Sequence, residues 1–406
     1  MRVLHVSDWH LGITTYRQDR RPDLEEVLEQ TLAHARECKP HLVIHTGDLF
    51  HHVRPGLEDV RLACETLRRL SELAPVVVVC GNHDSPAQLR FLDEFVFPGE
   101  RLHFVDVPRH PRDGGILEFE AGRERARLAA IPFISGERMV EVFEDPKTWM
   151  TGYADRVRRI QEALGEGLRD GYQGERDILL FAAHLHVTGA QVTRSERPLH
   201  VSDSYAAHAE AIPSVSYAAF GHIHKPQRLP GNQLGWYAGS PVALDFGEEH
   251  DQKVMLLIEA APGRPAQVTD LPYTTTRPLR RVTGTLEELL ALTDIGHSLC
   301  LATVTTEEPT SGLADSLRAA WPDCTLLEVV EDCAARRVEV LSADHAERDE
   351  EAERPMAELF ADYLAETGTQ IATRGEALAA FERLHAAVEA NAAPEFPELA
   401  AAEVTL

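Results

Sequence analysis

Five short apolar runs in the first half of the chain each stop at a polar group. RVLHVSD ends at Asp8, HLVIHTGD at Asp48, and VVVVCGNHD at Asn82 and His83. ILLFAAHLH ends at His184 and His186, and YAAFGHIH at His222 and His224. Runs this short and this rich in β-branched residues predict buried strands. Between the first two lies PDLEEVLEQTLAHAREC, with Leu24, Val27, Leu28 and Leu32 at helical spacing. Between the second and third, GLEDVRLACETLRRLSEL repeats the pattern with Leu57, Val60, Leu67 and Leu70. Strand-helix-strand alternation implies parallel pairing. The carboxyl ends of such strands form the ligand crevice, so the five polar termini are expected along one edge.

From about Leu102 the texture changes. LHFVDV, GILEFEA, RARLAAIPFI, LGWYAGSPVALDF and KVMLLIEA predict mostly antiparallel strands, interrupted by one helix over YADRVRRIQEALGEGL. A two-sheet sandwich flanked by helices is the economical arrangement. EAAPGRPAQVTDLPYTTTRP reads as a linker from its Pro, Gly and Thr content. Beyond it, LRRVTG, TLEELLAL, CLATVTT, GLADSLRAAW and TLLEVVE predict a small α+β unit. The last 66 residues hold fifteen acidic against four basic residues. They carry two amphipathic helical patterns, one with Met356, Leu359, Phe360, Tyr363 and Leu364, the other with Leu378, Phe381, Leu384 and Val388. The expected division is residues 1–272, then 273–340, then C-terminal helices over 341–406.

With 406 residues, more than one unit is expected. Hydrophobic content of 44% fits a globular protein, and no apolar run reaches membrane-spanning length. Asp8 arrives before any cleavable apolar segment could, so no signal peptide is expected. Cys38, Cys64, Cys80, Cys300, Cys324 and Cys333 show no CxxC pairing, and reduced cytosolic thiols are the simplest reading. A net charge of −26 argues against a general nucleic-acid coat protein but not against a nuclease, because clustered carboxylates bind divalent metals. No GxxxxGK[ST] run is present, so ATP hydrolysis by this chain is not expected. Neither a GxSxG elbow nor a catalytic-cysteine context is found.

Taken in order, the motifs are DxH (Asp8, His10), GD (Asp48), GNHD (Asn82, His83), a strand-end histidine (His184) and GHxH (His222, His224). One DxH alone is better read as a turn or helix cap; five such motifs at strand ends are a metal site. The set resembles the calcineurin-like metallophosphoesterases. More narrowly, MRVLHVSDWHLG, HTGDLF, GNHDSP and GSPVALDF are similar to the SbcD group of bacterial DNA double-strand-break nuclease subunits, over roughly the first 250 residues. The resemblance implies that Asp8, His10, Asp48 and His224 hold one metal, and Asp48, Asn82, His184 and His222 the other. Asp48 is the natural bridge. His186 is the rival to His184, whose flanking residues resemble the family better. Mixed His and Asp donors suit manganese or iron, and could take zinc, better than they suit magnesium. Two divalent ions, manganese foremost, are therefore expected, with an activated water attacking a phosphodiester.

The same resemblance gives His83 the role of stabilising transition-state charge or protonating the leaving oxygen. His51 is an assisting histidine where relatives also carry Asp. His52 is read as a surface or supporting residue, and His5, His41 and His45 as structural. Arg17, Arg20 and Arg21, with Arg277, Arg280 and Arg281, are candidate DNA-phosphate contacts, against the plain alternative of a solvated face. The implied function is 3′-to-5′ exonuclease on duplex DNA and endonuclease on single strands or hairpins, in repair and recombination. Implied partners are DNA, a second copy of the chain through Leu57–Leu73, whose apolar stripe core packing explains equally well, and the coiled-coil ATPase SbcC, docked by the C-terminal helices. The competing readings are a small-molecule or protein phosphoesterase and a binding scaffold. GDLFHH and GNHD stand where protein phosphatases of this fold read GDxVDRG and GNHE.

Overall fold

The computed structural model describes residues 1–99, 101–134, 153–193, 195–196, 206–336, 360, 364, 375 and 377–383. Strands β1 (Arg2–Val6), β2 (Leu42–His45), β3 (Val76–Val79) and β4 (Leu102–Val105) are parallel neighbours. Helices α1 (Arg21–Cys38) and α2 (Leu57–Leu73) connect the first three. The alternation of apolar runs and helical spacing is thus realised nearly residue for residue. Period-two alternation divides each strand between two cores. Leu4 and Val6 face Leu24, Val27, Leu28, Leu67 and Leu70 of the helices. Val3, Ile44 and Val77 face the second sheet.

That second sheet contains β5 (Ile116–Ala121), β6 (Glu124–Ile131), β7 (Asp177–His184), β8 (Tyr217–Gly221), β9 (Gln227–Arg228) and β10 (Gly235–Tyr237). Its order is β9-β10-β8-β7-β6-β5. Leu128, Leu180 and Ala219 supply its inner face, while Val157, Ile160 and Leu164 of α3 (Tyr153–Arg169) cover the outer one. The expected two-sheet sandwich with outer helices is present. The expectation of mostly antiparallel pairing is corrected. β6, β7, β8 and β10 run parallel, and only the edge pairs β5–β6 and β9–β10 are antiparallel. A helix between β6 and β7 allows the parallel return that a hairpin forbids. The strand predicted over LGWYAGSPVALDF stops at Tyr237, with Gly-Ser-Pro following at 239–241.

The linker expectation is corrected as well. β11 (Val254–Glu259) pairs antiparallel with β1, and β12 (Gln267–Pro272) extends the first sheet from within the Pro/Gly/Thr-rich stretch. The chain beyond it is fastened to α1. Tyr273 meets Thr31 at 2.9 Å, Thr274 N donates to Gln30 at 2.9 Å, and Arg277 Nε donates to Asp23 at 2.8 Å. Pro262, Gly263 and Pro265 lie in the connection between the paired β11 and β12, so the stretch is a hairpin and not slack chain.

The small α+β unit follows the sequence pattern: β13 (Leu279–Thr285), α4 (Leu286–Leu290), β14 (Leu299–Thr306), α5 (Leu313–Ala320) and β15 (Thr325–Cys333). A Thr285–Glu288 capping box opens α4. The chain divides into two units, Met1–Thr303 with Gly312–Val330, and Val304–Ser311 with Glu331–Leu406. In the second, Thr306 Oγ1 donates to Glu331 at 3.0 Å, and Phe360 stacks on Phe381 with ring centroids 4.3 Å apart. Most of the two C-terminal helices expected over 341–406, including Met356, Leu359, Tyr363, Leu384 and Val388, lies outside the described residues. Among the described residues no helix is long and apolar enough to cross a membrane.

His5, on the inner face of β1, is fully buried between the sheets. Its Nδ1 meets Tyr217 Oη at 2.9 Å and its Nε2 meets Thr46 Oγ1 at 3.0 Å. Burial, and then His45, lower its pKa to about 3. The unfolded chain therefore takes up a proton near pH 6.5 that the folded one refuses until about pH 3. His5 contributes fully above pH 6.5 and loses its contribution as pH falls. By pH 4.5 the loss is about 2–3 kcal/mol, at about 1.4 kcal/mol per unit. Thermal melts at pH 7 and pH 4.5 check this: His5→Gln should show a smaller fall in Tm between the two than the parent chain.

Candidate metal centre

All five polar strand termini meet. Asp8 and His10 follow β1, Asp48 follows β2, Asn82 follows β3, His184 closes β7, and His222 and His224 follow β8. Asp8, His10, Asp48 and His224 bring their donor atoms together on one side, and Asp48, His184 and His222 on the other. Asp48 Oδ2 stands between the groups, 3.6 Å from His10 Nε2 and 3.5 Å from His184 Nε2. On the first side His10 Nε2 faces His224 Nε2 at 3.0 Å. On the second, Asn82 Oδ1 lies 2.8 Å from His184 Nε2 and 2.7 Å from His222 Nδ1, and those two nitrogens are 3.2 Å apart.

These spans fit metal ions. Two donors each about 2.1 Å from one ion and at right angles to each other stand roughly 3.0 Å apart. The two facing nitrogens of His10 and His224 can share at most one proton between them, whereas an ion satisfies both lone pairs. The tautomer of His184 is fixed from behind. Its Nδ1–H donates to the Thr46 carbonyl at 2.8 Å, leaving the Nε2 lone pair for the cage. The donor set and its division about Asp48 fit a dinuclear site.

The electrostatics reflect the crowding. Burial pushes Asp8 up to about 6, against the pull of His184 and His224. Burial also opposes ionisation of Asp48, but His184, His83 and His10 outweigh it and hold the carboxyl well below its usual range. For His184 burial disfavours the charge, and Asp48 reverses that, raising it to about 9. Burial drives His10 well below an ordinary imidazole, against the pull of Asp48.

The backbone bends sharply to make this convergence. Asp8, His10, Asp48 and His222 all have positive φ, at 49°, 48°, 53° and 96°. Non-glycine residues rarely adopt this region, at a cost of about 1–3 kcal/mol each. Two glycines permit the close approach. A Cβ on Gly81 would sit 2.1 Å from Asp48 Oδ1, and one on Gly47 would sit 2.3 Å from His184 Nδ1.

Two further histidines, His83 and His51, lie beside the cage. His83 N donates to Asp48 Oδ1 at 2.8 Å, while its Nδ1–H donates to the His51 carbonyl at 2.7 Å. His51 Nδ1 lies 3.3 Å from His10 Nδ1, and its ring stacks on that of His83. His52 is exposed against His51. His186 sits on a separate short strand paired with Ala206, so His184 is the histidine that faces Asn82. Sequence reasoning gave no role to Asp84, the last letter of GNHD. Its carboxylate accepts from Gly81 N at 2.9 Å, Phe50 N at 3.0 Å and Leu49 N at 3.2 Å, and so ties the GD loop to the GNHD loop.

Five of the six candidate DNA-binding arginines pair with acidic side chains of the chain itself. Arg20 is buried, donating to Asp23 at 2.6 Å and to the Ala243 carbonyl at 3.0 Å, and Arg277 is likewise held by Asp23. Arg20 serves as an internal tie with its guanidinium already committed, which corrects its assignment to phosphate, whereas Arg277 stays partly exposed in its pair with Asp23. Arg21 pairs with Asp59 at 3.0 Å, and Arg280 with Asp294 at 3.2 Å. Arg281 is half exposed over the Phe246 ring, 3.8 Å from Glu249, and Arg17 is exposed.

Residues 275–368 match the family model described as the type 5 capsule protein repressor C-terminal domain. The SbcD subunit of the nuclease SbcCD from Bacillus subtilis (strain 168) is 29% identical over 286 residues, covering 69% of this chain and 71% of the relative. Its counterpart from Escherichia coli (strain K12) is 27% identical over 305 residues, covering 72% and 73%. Among solved structures, a dimetal phosphatase from Danio rerio aligns with a TM-score of 0.37 at 12% identity, over 68% of this chain and 99% of its own. The model of the calcineurin-like phosphoesterases matches residues 1–226, more than half of the sequence and all of the cage, and the chain belongs to that family.

Proposed function

We propose that this chain is a two-metal DNA nuclease, the phosphodiesterase subunit of an SbcC–SbcD-type complex. The position of Asp48 Oδ2, nearly equidistant from His10 Nε2 and His184 Nε2, carries the reading. Asp8, His10, Asp48 and His224 hold one ion, and Asp48, Asn82, His184 and His222 the other, with manganese the best match to the mixed donors. Two such ions supply Lewis acidity for the phosphate oxygens and hydroxide at neutral pH. His83, anchored through Nδ1, presents Nε2 to the leaving oxygen or to the charge that develops on the phosphate. His51 keeps the His10 ring in place from its far side.

The nuclease reading over a small-ester phosphatase rests on the two SbcD relatives and on the match that continues past the catalytic region. Substrates are DNA ends and hairpins, cut by 3′-to-5′ exonuclease and single-strand endonuclease action in repair and recombination. Residues 1–272 are the nuclease domain, 273–340 cap it over the substrate, and 341–406 dock on SbcC. Arg17 and Arg281, the exposed members of the arginine set, serve the phosphate backbone. α2, whose Leu57 is 86% exposed, contributes to a homodimer. The setting is cytoplasmic.

End-labelled duplex DNA tests this directly. Cleavage should appear with manganese, fall with magnesium and vanish in EDTA. Turnover of bis-p-nitrophenyl phosphate without any DNA cutting, even with SbcC present, would move the assignment to a small-ester phosphodiesterase. His83→Ala should keep metal and DNA binding within a few-fold while cleavage drops roughly 100-fold or more. Undiminished cleavage would remove His83 from the chemistry.

A further inference from the structure

A buried polar cluster stands behind one metal donor and was invisible in the sequence. His224 presents Nε2 to the cage, and its other nitrogen, Nδ1, meets the hydroxyl of Ser195. Ser195 Oγ in turn donates to Glu248 Oε1. Glu248 is fully buried, and its other oxygen accepts from Lys253 Nζ at 2.6 Å. Lys253 also donates to the His224 carbonyl at 2.9 Å and to Ser240 Oγ at 3.0 Å. Glu196 Oε1 completes the grip by accepting from His224 N at 3.0 Å. His224 is thus held at its ring, its backbone amide and its backbone carbonyl.

We infer that Glu248 is a positioning residue, acting through Ser195 to fix His224 as a metal donor. This rests on the two-metal reading above. The direction of the hydrogen bonds follows from the acceptor at the end of the relay. A carboxylate can only accept, so Ser195 must donate to Glu248 and offer its oxygen lone pair to His224. His224 then carries its proton on Nδ1, and the Nε2 lone pair is free for the ion. Thr193 Oγ1 lies 3.1 Å from the same carboxylate oxygen and 2.8 Å from Glu196 Oε2, and its single proton serves one of the two. Lys253 keeps the carboxylate charged in a fully buried place, where an unpaired charge would not persist. Such outer partners of a ligating histidine typically contribute about 10–100-fold in metal affinity. Ser195 comes from the chain between β7 and β8, and Glu248 from the turn before β11, so three separate segments assemble around one donor.

Manganese titration of the full chain by calorimetry, with Mn2+ alone as the probe, separates this role from general support of the fold. The parent chain should bind two Mn2+; failure to bind them would defeat the metal reading itself before any variant is compared. Glu248→Gln keeps the shape and removes the charge, and should weaken one of the two Mn2+ by about 10–100-fold while leaving the other near its parent value. Ser195→Ala, at a partly exposed position, should do the same by about 10-fold with the metal-free Tm unchanged, and Ser195→Thr, which restores a hydroxyl, should recover the affinity. If Glu248→Gln does not fold, the serine pair decides alone. Parent-like affinity at both sites in Ser195→Ala, or equal weakening of both, would overturn the inference.

Discussion

A carboxylate in reach of two imidazoles from different sheets is the constraint on which the molecule turns. Asp48 leaves β2 in the first sheet, and His184 leaves β7 in the second. Bringing these groups within 3.5 Å requires the two sheets to end at the same level. It also requires a loop with no side chain at Gly47 or Gly81, since a Cβ on either would strike the pair. The inter-sheet core of Val3, Ile44, Val77, Leu128, Leu180 and Ala219 fixes that level by burying both inner faces. Packing and chemistry are therefore joined at the strand ends: the hydrophobic runs set the height at which the polar residues emerge.

Support for the cage is layered. Backbone acceptors and donors orient the ligands first, as Thr46 O does for His184 and His222 N does for Asp8. Asp84 then draws together the loops that carry Asp48 and Asn82, through three amides. Burial, and after it the charge of Asp48, push Asp84 up to about 7, and the three donors resist that rise. The same Thr46 whose carbonyl holds His184 donates its hydroxyl to Ser7 and accepts from His5 Nε2, so the polar thread runs from the cage back into the space between the sheets.

Much of this was legible beforehand because it is local. Strand runs, amphipathic helices and strand-end histidines are patterns of period and spacing, and α1, α2, α3 and the small α+β unit appear where the patterns placed them. The convergence of Asp8, Asp48 and Asn82 followed from the parallel pairing of the first sheet. What was not legible is long-range or ambiguous at short range. Pairing direction in the second sheet depends on which strand returns beside which. The Pro/Gly/Thr-rich stretch looks the same whether it turns a hairpin or spans a gap; only the alternation in QVTDLP hinted at β12. An arginine beside a motif does not announce that Asp23 will claim it. The acidic partner of His224 lies 24 positions further along the chain, and no motif joins them.

The left-handed turns at Asp8, His10, Asp48 and His222 bear on how such a protein can change. Each holds its donor in place by keeping the main chain where a β-branched or bulky residue would not rest. Glycine or asparagine would sit there at lower cost, and would at the same time withdraw an ion's partner. Selection for heat resistance alone thus pulls these four positions in one direction and selection for turnover pulls them in the other. Robust variants of this scaffold are to be sought in the cores beneath the cage, with the bent strand ends left as they are.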